Sequence, residues 1–171
     1  AICFWVDDLD PKKGTVRWMR NLGGMEFGPE VVLQTKGIST NQPDDWMLPG
    51  DFIGDGIQEF VRVGPQALDW WRIGGIVPVQ QPASPVPLAD ATDFILGAVA
   101  GDFNGDGITD VGFHTYRLGG PGSLIVMRSS PAGAFTDNLR ITLTPAALEV
   151  IAADGDGDAD LVAVAPTSAT I

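Results

Sequence analysis

A chain of 171 residues, 44% hydrophobic and 19% charged, has the length and composition of one folded domain with a real core. Its net charge of -12, from 22 acidic against 10 basic side chains, argues against a surface built to neutralise phosphates, so nucleic acid is not an expected partner. The one cysteine, Cys3, leaves no intramolecular disulfide, and no apolar run approaches the ~18–20 residues of a membrane-spanning helix. The apolar and β-branched residues around Cys3 point to a buried thiol. The first residue is not Met, and no basic-plus-apolar leader is present, which fits a processed secreted protein and equally an excised fragment.

In chain order the sequence reads as strands and turns. AICFWV, at 1–6, is a first strand, and GTVRWMRNLGGMEFG from Gly14 contains a Gly-Gly turn. PGDFIGDGIQEFVRVGP from Pro49 holds an acidic loop and then a strand, and LDWWRIGG from Leu68 supplies another. IVPVQQPASPVPL is not a central strand, because proline removes ladder donors. LGAVAG leads into GDFNGDGITDVGFHTY from Gly101, where a second acidic loop opens into an alternating strand. SLIVMRS follows a Gly-Pro-Gly turn, LRITLT alternates again, and IAADGDGDADLVAVAP from Ile151 carries a third acidic loop. No segment has helical periodicity with caps.

These pieces repeat. The first position of the acidic loop falls at Asp51, Asp102 and Ala152, steps of 51 and 50 residues. The segment from Gly14 aligns without a gap on GSLIVMRSSPAGAFT from Gly122, pairing Met19 with Met127, Arg20 with Arg128 and Phe27 with Phe135. LDWWRIGG is the third copy, with Arg72 in the arginine's place. About four strands per ~50 residues is the size of a propeller blade. The expected fold is therefore all-β: a single β-propeller region over 1–171, with a partial blade at 1–45, blades at 46–93 and 94–145, and a partial blade at 146–171. About three repeat equivalents do not close a ring of 4–8 blades. The remainder of a longer chain, or further copies in a homo-oligomer, would complete it.

The central loop, DFNGDGITD, reads as a coordination list. Asp102, Asn104 and Asp106 stand at positions one, three and five, the carbonyl of Ile108 at seven and Asp110 at nine. Hard oxygen donors in a flexible loop suit Ca²⁺, with Mg²⁺ second and zinc disfavoured by the lack of Cys and paired His. An EF-hand needs a bidentate Glu at position twelve between helices, but position twelve is Arg62, Phe113 or Ala163 and the flanks are strands. The third loop begins with Ala152 but keeps Asp154, Asp156 and Asp160, with the Asp158 carbonyl at seven. The first has Ile53 at position three, leaving Asp51, Asp55, the Ile57 carbonyl and Glu59. The competing reading is an Asx-type turn, in which Asp and Asn bond nearby backbone without metal. It is weak at the central loop, with its four aligned side-chain oxygens, and competes at the first.

The pattern D-x-(D/N)-x-D-G-x-x-D, followed by a strand ending in Gly/Ala-Pro as in FVRVGP and DLVAVAP, resembles the FG-GAP/VCBS repeats of integrin α-subunit propellers and of many secreted proteins. No copy opens with Phe-Gly. The resemblance implies a calcium-stabilised propeller whose metal loops join the first two strands of each blade, placed outside the cell or on its surface. It implies recognition of a protein or glycan.

Catalysis is not expected. His114, the only histidine, lies on an alternating strand, and no G-x-S-x-G elbow or phosphate-loop ending is present. Trp18 and Trp71 neighbour Arg20 and Arg72, and with Trp5, Trp46 and Trp70 they read either as inter-blade packing or as repeated sugar-stacking pockets. Two further readings stay open: a lectin assembled from several copies, and a propeller attached to a secreted enzyme or toxin.

Overall fold

The computed structural model describes residues 14–36, 46–63, 68–73, 79–80, 93–117, 120–143, 149–154 and 159–164. Its elements are β1 (Gly14–Trp18), β2 (Asn21–Gly23), β3 (Glu26–Phe27), β4 (Val31–Lys36), β5 (Trp46–Gly50), β6 (Glu59–Val63), β7 (Leu68–Arg72) and β8 (Val79–Gln80). They continue with β9 (Asp93–Gly101), β10 (Asp110–Arg117), β11 (Gly122–Arg128), β12 (Thr136–Leu143), β13 (Glu149–Asp154) and β14 (Ala159–Val164). Every element among the described residues is a strand, as the alternating pattern and the Gly/Pro punctuation require. The expected strand at 1–6 and Cys3 lie outside the described residues.

The chain divides into two compact units. The first comprises residues 1–43 with 75–78. In it β1 pairs antiparallel with β4, the register shifting between Val16 and Arg17, and β2 pairs with β3. The β2–β3 turn is fixed by Gly23, whose N–H donates to Asn21 Oδ1 at 2.8 Å.

The second unit, residues 44–74 with 79–171, holds two four-stranded antiparallel meanders, β5-β6-β7-β8 and β9-β10-β11-β12, and the pair β13-β14. The short β8 lies within the proline-rich stretch and is an edge strand, where a missing ladder donor costs little. All five residues of β6 are buried, so both faces of the first meander are covered. On one face Val61 and Val63 sit opposite Trp70 and Leu68. On the other, Phe60 stacks on Trp71 at 4.9 Å between ring centroids, and Arg62 pairs with Asp69 across the strands. Val61, Val63, Leu68 and Trp70 pack against Val111, Phe113, Ile125 and Met127 of the second meander, and Leu48, Phe52, Ile95, Ala98 and Phe135 complete one core. Each of the larger aliphatic and aromatic side chains contributes about 1.5–3 kcal/mol by leaving water.

Successive repeats are also stitched at their acidic loops. The Thr109 N–H donates to the Asp51 carbonyl at 2.9 Å, and the Asp51 N–H donates to Thr109 Oγ1 at 3.1 Å. One repeat on, the Ala159 N–H donates to the Asp102 carbonyl, also at 2.9 Å. Position eight of the second and third loops thus docks on position one of the loop before it. Glycine precedes position one in both cases for a steric reason. A Cβ on Gly50 would lie 2.5 Å from Thr109 Cγ2, and one on Gly101 would lie 2.6 Å from Ala159 Cβ.

Candidate metal centre

The first two acidic loops each join the first strand of a four-stranded meander to the second: 51–58 connects β5 to β6, and 102–109 connects β9 to β10. Their backbones are alike. Gly54 and Gly56 have φ of 71° and 79°, and Gly105 and Gly107 have 72° and 80°. These are left-handed values that only glycine adopts without strain, which is why D-x-x-G-D-G recurs.

The position-one carboxylate organises each turn. Asp51 Oδ1 accepts the N–H groups of Gly54 at 2.8 Å and Asp55 at 3.1 Å, and Oδ2 accepts that of Gly56 at 2.7 Å. Asp102 repeats this with Gly105 at 2.8 Å, Asp106 at 3.2 Å and Gly107 at 2.7 Å, and adds Asn104 at 3.4 Å. The position-five carboxylates accept the next-but-one N–H, Asp55 from Ile57 at 3.0 Å and Asp106 from Ile108 at 2.9 Å. Ile57 is exposed, whereas the Ile108 side chain lies against Gly54 of the preceding loop.

Position nine is buried in both loops, Glu59 fully and Asp110 at 1% exposure. Glu59 Oε2 accepts the Phe52 N–H at 3.0 Å, and Asp110 Oδ1 accepts the Ser129 N–H at 2.8 Å. In the second loop the Asn104 amide Nδ2 donates to Asp110 Oδ2 at 2.7 Å. The first loop has Ile53 there instead, and Arg72 forms an ion pair with Asp55.

Burial pushes the Glu59 carboxyl up to about 7; the Phe52 N–H opposes this, Asp55 and Asp51 add to it, and Arg72 offsets part. Burial also raises Asp110, with Asp106 adding and the N–H donors of Ser129, Asn104 and Phe103 opposing. A carboxyl raised in the folded state holds its proton longer there than in the unfolded chain. Its stabilising contribution is full below the ordinary carboxylate value of 4.5 and is lost as pH rises through about 7. In chelator, the melting temperature is therefore expected to fall from about pH 5 to about pH 8, and Glu59→Gln to flatten that slope. A slope unchanged by Glu59→Gln would show that other groups carry it.

The donor set fits a hard divalent cation. Carboxylates of Asp102, Asp106 and Asp110 and the amide of Asn104 share one nine-residue loop, and the Asp106 charge bears on Asp110. Among the described residues, however, no three carboxylate, histidine or cysteine groups are arranged around one point. Asp154 ends β13 and Asp160 lies in β14, where the backbone pairs Asp154 with Ala159 and Ala153 with Asp160. Asp156 and Asp158 lie outside the described residues.

Arg72, Thr109 and Ser129 are the neighbours that loop spacing did not reveal. The alignment of Arg72 with Arg128, next to Ser129, was the one signal available. His114 sits buried in β10. Trp18, Trp70 and Trp71 are buried, which is how packing residues are placed.

Residues 51–113, from the first position of one loop through the whole of the next, match the family model for an FG-GAP-like repeat. No curated protein and no solved structure gives a match.

Proposed function

We propose that this chain, which carries an FG-GAP-like repeat at 51–113, builds calcium-stabilised blades of a β-propeller that serves as a non-catalytic recognition module outside the cell. The observation that carries the reading is the acidic turn built twice in one conformation, each time between the first two strands of a meander. In the central loop Asp102, Asn104, Asp106, Asp110 and the Ile108 carbonyl would hold the ion. When bound, calcium supplies positive charge that offsets the crowded carboxylates. The chain's own residues do the rest: Asp102 gathers the turn, Ser129 and Asn104 hold Asp110, and Thr109 ties the loop to the repeat before it.

The partner is a protein or a glycan. Burial of Trp18, Trp70 and Trp71 supports packing rather than sugar stacking for those three indoles. A glycan array separates the two partner classes.

Melting with and without EDTA tests the calcium reading. The melting temperature is expected to fall in EDTA and to return with calcium but not magnesium. At a hundredfold excess over the dissociation constant the stabilisation is about 2.7 kcal/mol, roughly 5–10 °C for a chain of this size. Asp106→Ala is expected to remove the central site. An unchanged melt with no heat of calcium binding would leave the loops as metal-free turns.

A further inference from the structure

The two described loops share a backbone but differ in the positive charge the chain brings to them. In the first, Arg72 at the end of β7 reaches Asp55, the position-five carboxylate. Arg72 stands directly opposite Glu59, the position-nine carboxylate, in the β6–β7 register. It is also one of the charges acting on Glu59, together with Asp55 and Asp51. The guanidinium therefore meets the position-five carboxylate and starts from the strand position opposite the position-nine one, so the chain brings its own positive charge to carboxylates that a bound cation would share.

Glu59 supplies a second observation in the same loop. It is fully buried, one oxygen accepts the Phe52 N–H inside the loop, and the other, Oε1, has no hydrogen-bond partner. A buried carboxylate oxygen without a donor is costly, and a cation is a natural partner for it. The second loop is arranged differently. The Asn104 amide meets Asp110, and Arg128, one step beyond the Val111–Met127 pair, is exposed.

We propose that Arg72 is the resident cation of the first loop: it supplies from the chain the charge that the central loop takes from solution, and it holds the first loop below the central one in calcium affinity. This rests on the calcium reading of the central loop and adds to it what decides which loops fill. The Arg72–Asp55 pair is partly exposed, 41% and 31% for the two side chains, so it exchanges with solvent and a divalent ion competes with it directly. Exposed pairs of this kind are worth up to about 1 kcal/mol, which sets the penalty on calcium at roughly fivefold.

Calorimetric titration of the whole chain with calcium tests the proposal. Arg72→Gln is expected to gain one ion per chain, or to tighten one binding event about fivefold, without loss of the event that Asp106→Ala removes. Adding Asp55→Asn to Arg72→Gln is expected to abolish the gained event, and Arg72→Lys, which keeps the charge, to titrate like the unmodified protein. Near-UV circular dichroism establishes that each variant is folded. Identical isotherms for the unmodified protein and Arg72→Gln, with the Asp106-dependent event present in both, would overturn the role of Arg72 and leave the calcium reading standing. Absence of any calcium event in the unmodified protein would overturn the calcium reading and, with it, this inference.

Discussion

Asp102→Ala is expected to lower stability by about 2–3 kcal/mol in chelator, and by more in calcium. The carboxylate accepts four backbone N–H groups of its own loop, from Asn104, Gly105, Asp106 and Gly107. Alanine leaves all four without that acceptor. Water replaces part of the loss because Gly105, Asp106 and Gly107 are exposed, which keeps the ion-free effect well below four full hydrogen bonds. In calcium the variant also loses a ligand, so the gap between unmodified and variant melting temperatures is expected to widen with calcium. A gap that stays constant would show that Asp102 serves the turn alone. Asp102→Asn separates the two roles, since the amide oxygen still accepts N–H groups but carries no charge.

Asp69→Ala is the second large effect. Asp69 and Arg62 face each other across β6 and β7 with side chains 1% and 10% exposed. Removing one partner of a buried pair takes the counter-charge away from the other in a poorly solvated place, which costs up to about 3–5 kcal/mol. For a chain of this length that is roughly a 10 °C fall in melting temperature. Replacing both is expected to cost far less. The corresponding cross-strand pair in the second meander is Phe113 with Ile125, both fully buried. Arg62→Phe with Asp69→Ile copies that solution, and its melting temperature is expected to lie well above that of Asp69→Ala. A double variant as unstable as the single one would mean that the cost lies in packing rather than in the lost counter-charge.

Much of the candidate site is legible in the sequence, because it is local. Side-chain oxygens at alternate positions, with glycine where φ must be positive, specify an acidic turn within a few residues. The spacing of 51 residues between Asp51 and Asp102 is visible in the letters alone. Alternation likewise marked the strands, and proline demoted the stretch containing β8 to a sheet edge.

The neighbours of the loops were not legible, because they come from elsewhere in the chain. Arg72 is 17 residues from Asp55, and Thr109 is 58 from Asp51. Only strand pairing and the docking of one repeat on the next bring them together. Glu59 looked like an ordinary loop ligand; the burial that raises its pKa belongs to the covered sheet.

The sequence by itself determined an all-β chain of repeated units with an acidic turn at each unit's first junction, since turns and strands follow from short-range sterics and a two-residue period. Tertiary structure alone decided which carboxylates are buried, which meet an arginine, and why glycine must precede position one. Those properties depend on what a paired strand or a neighbouring repeat places within a few ångströms, and no window of sequence contains that distance.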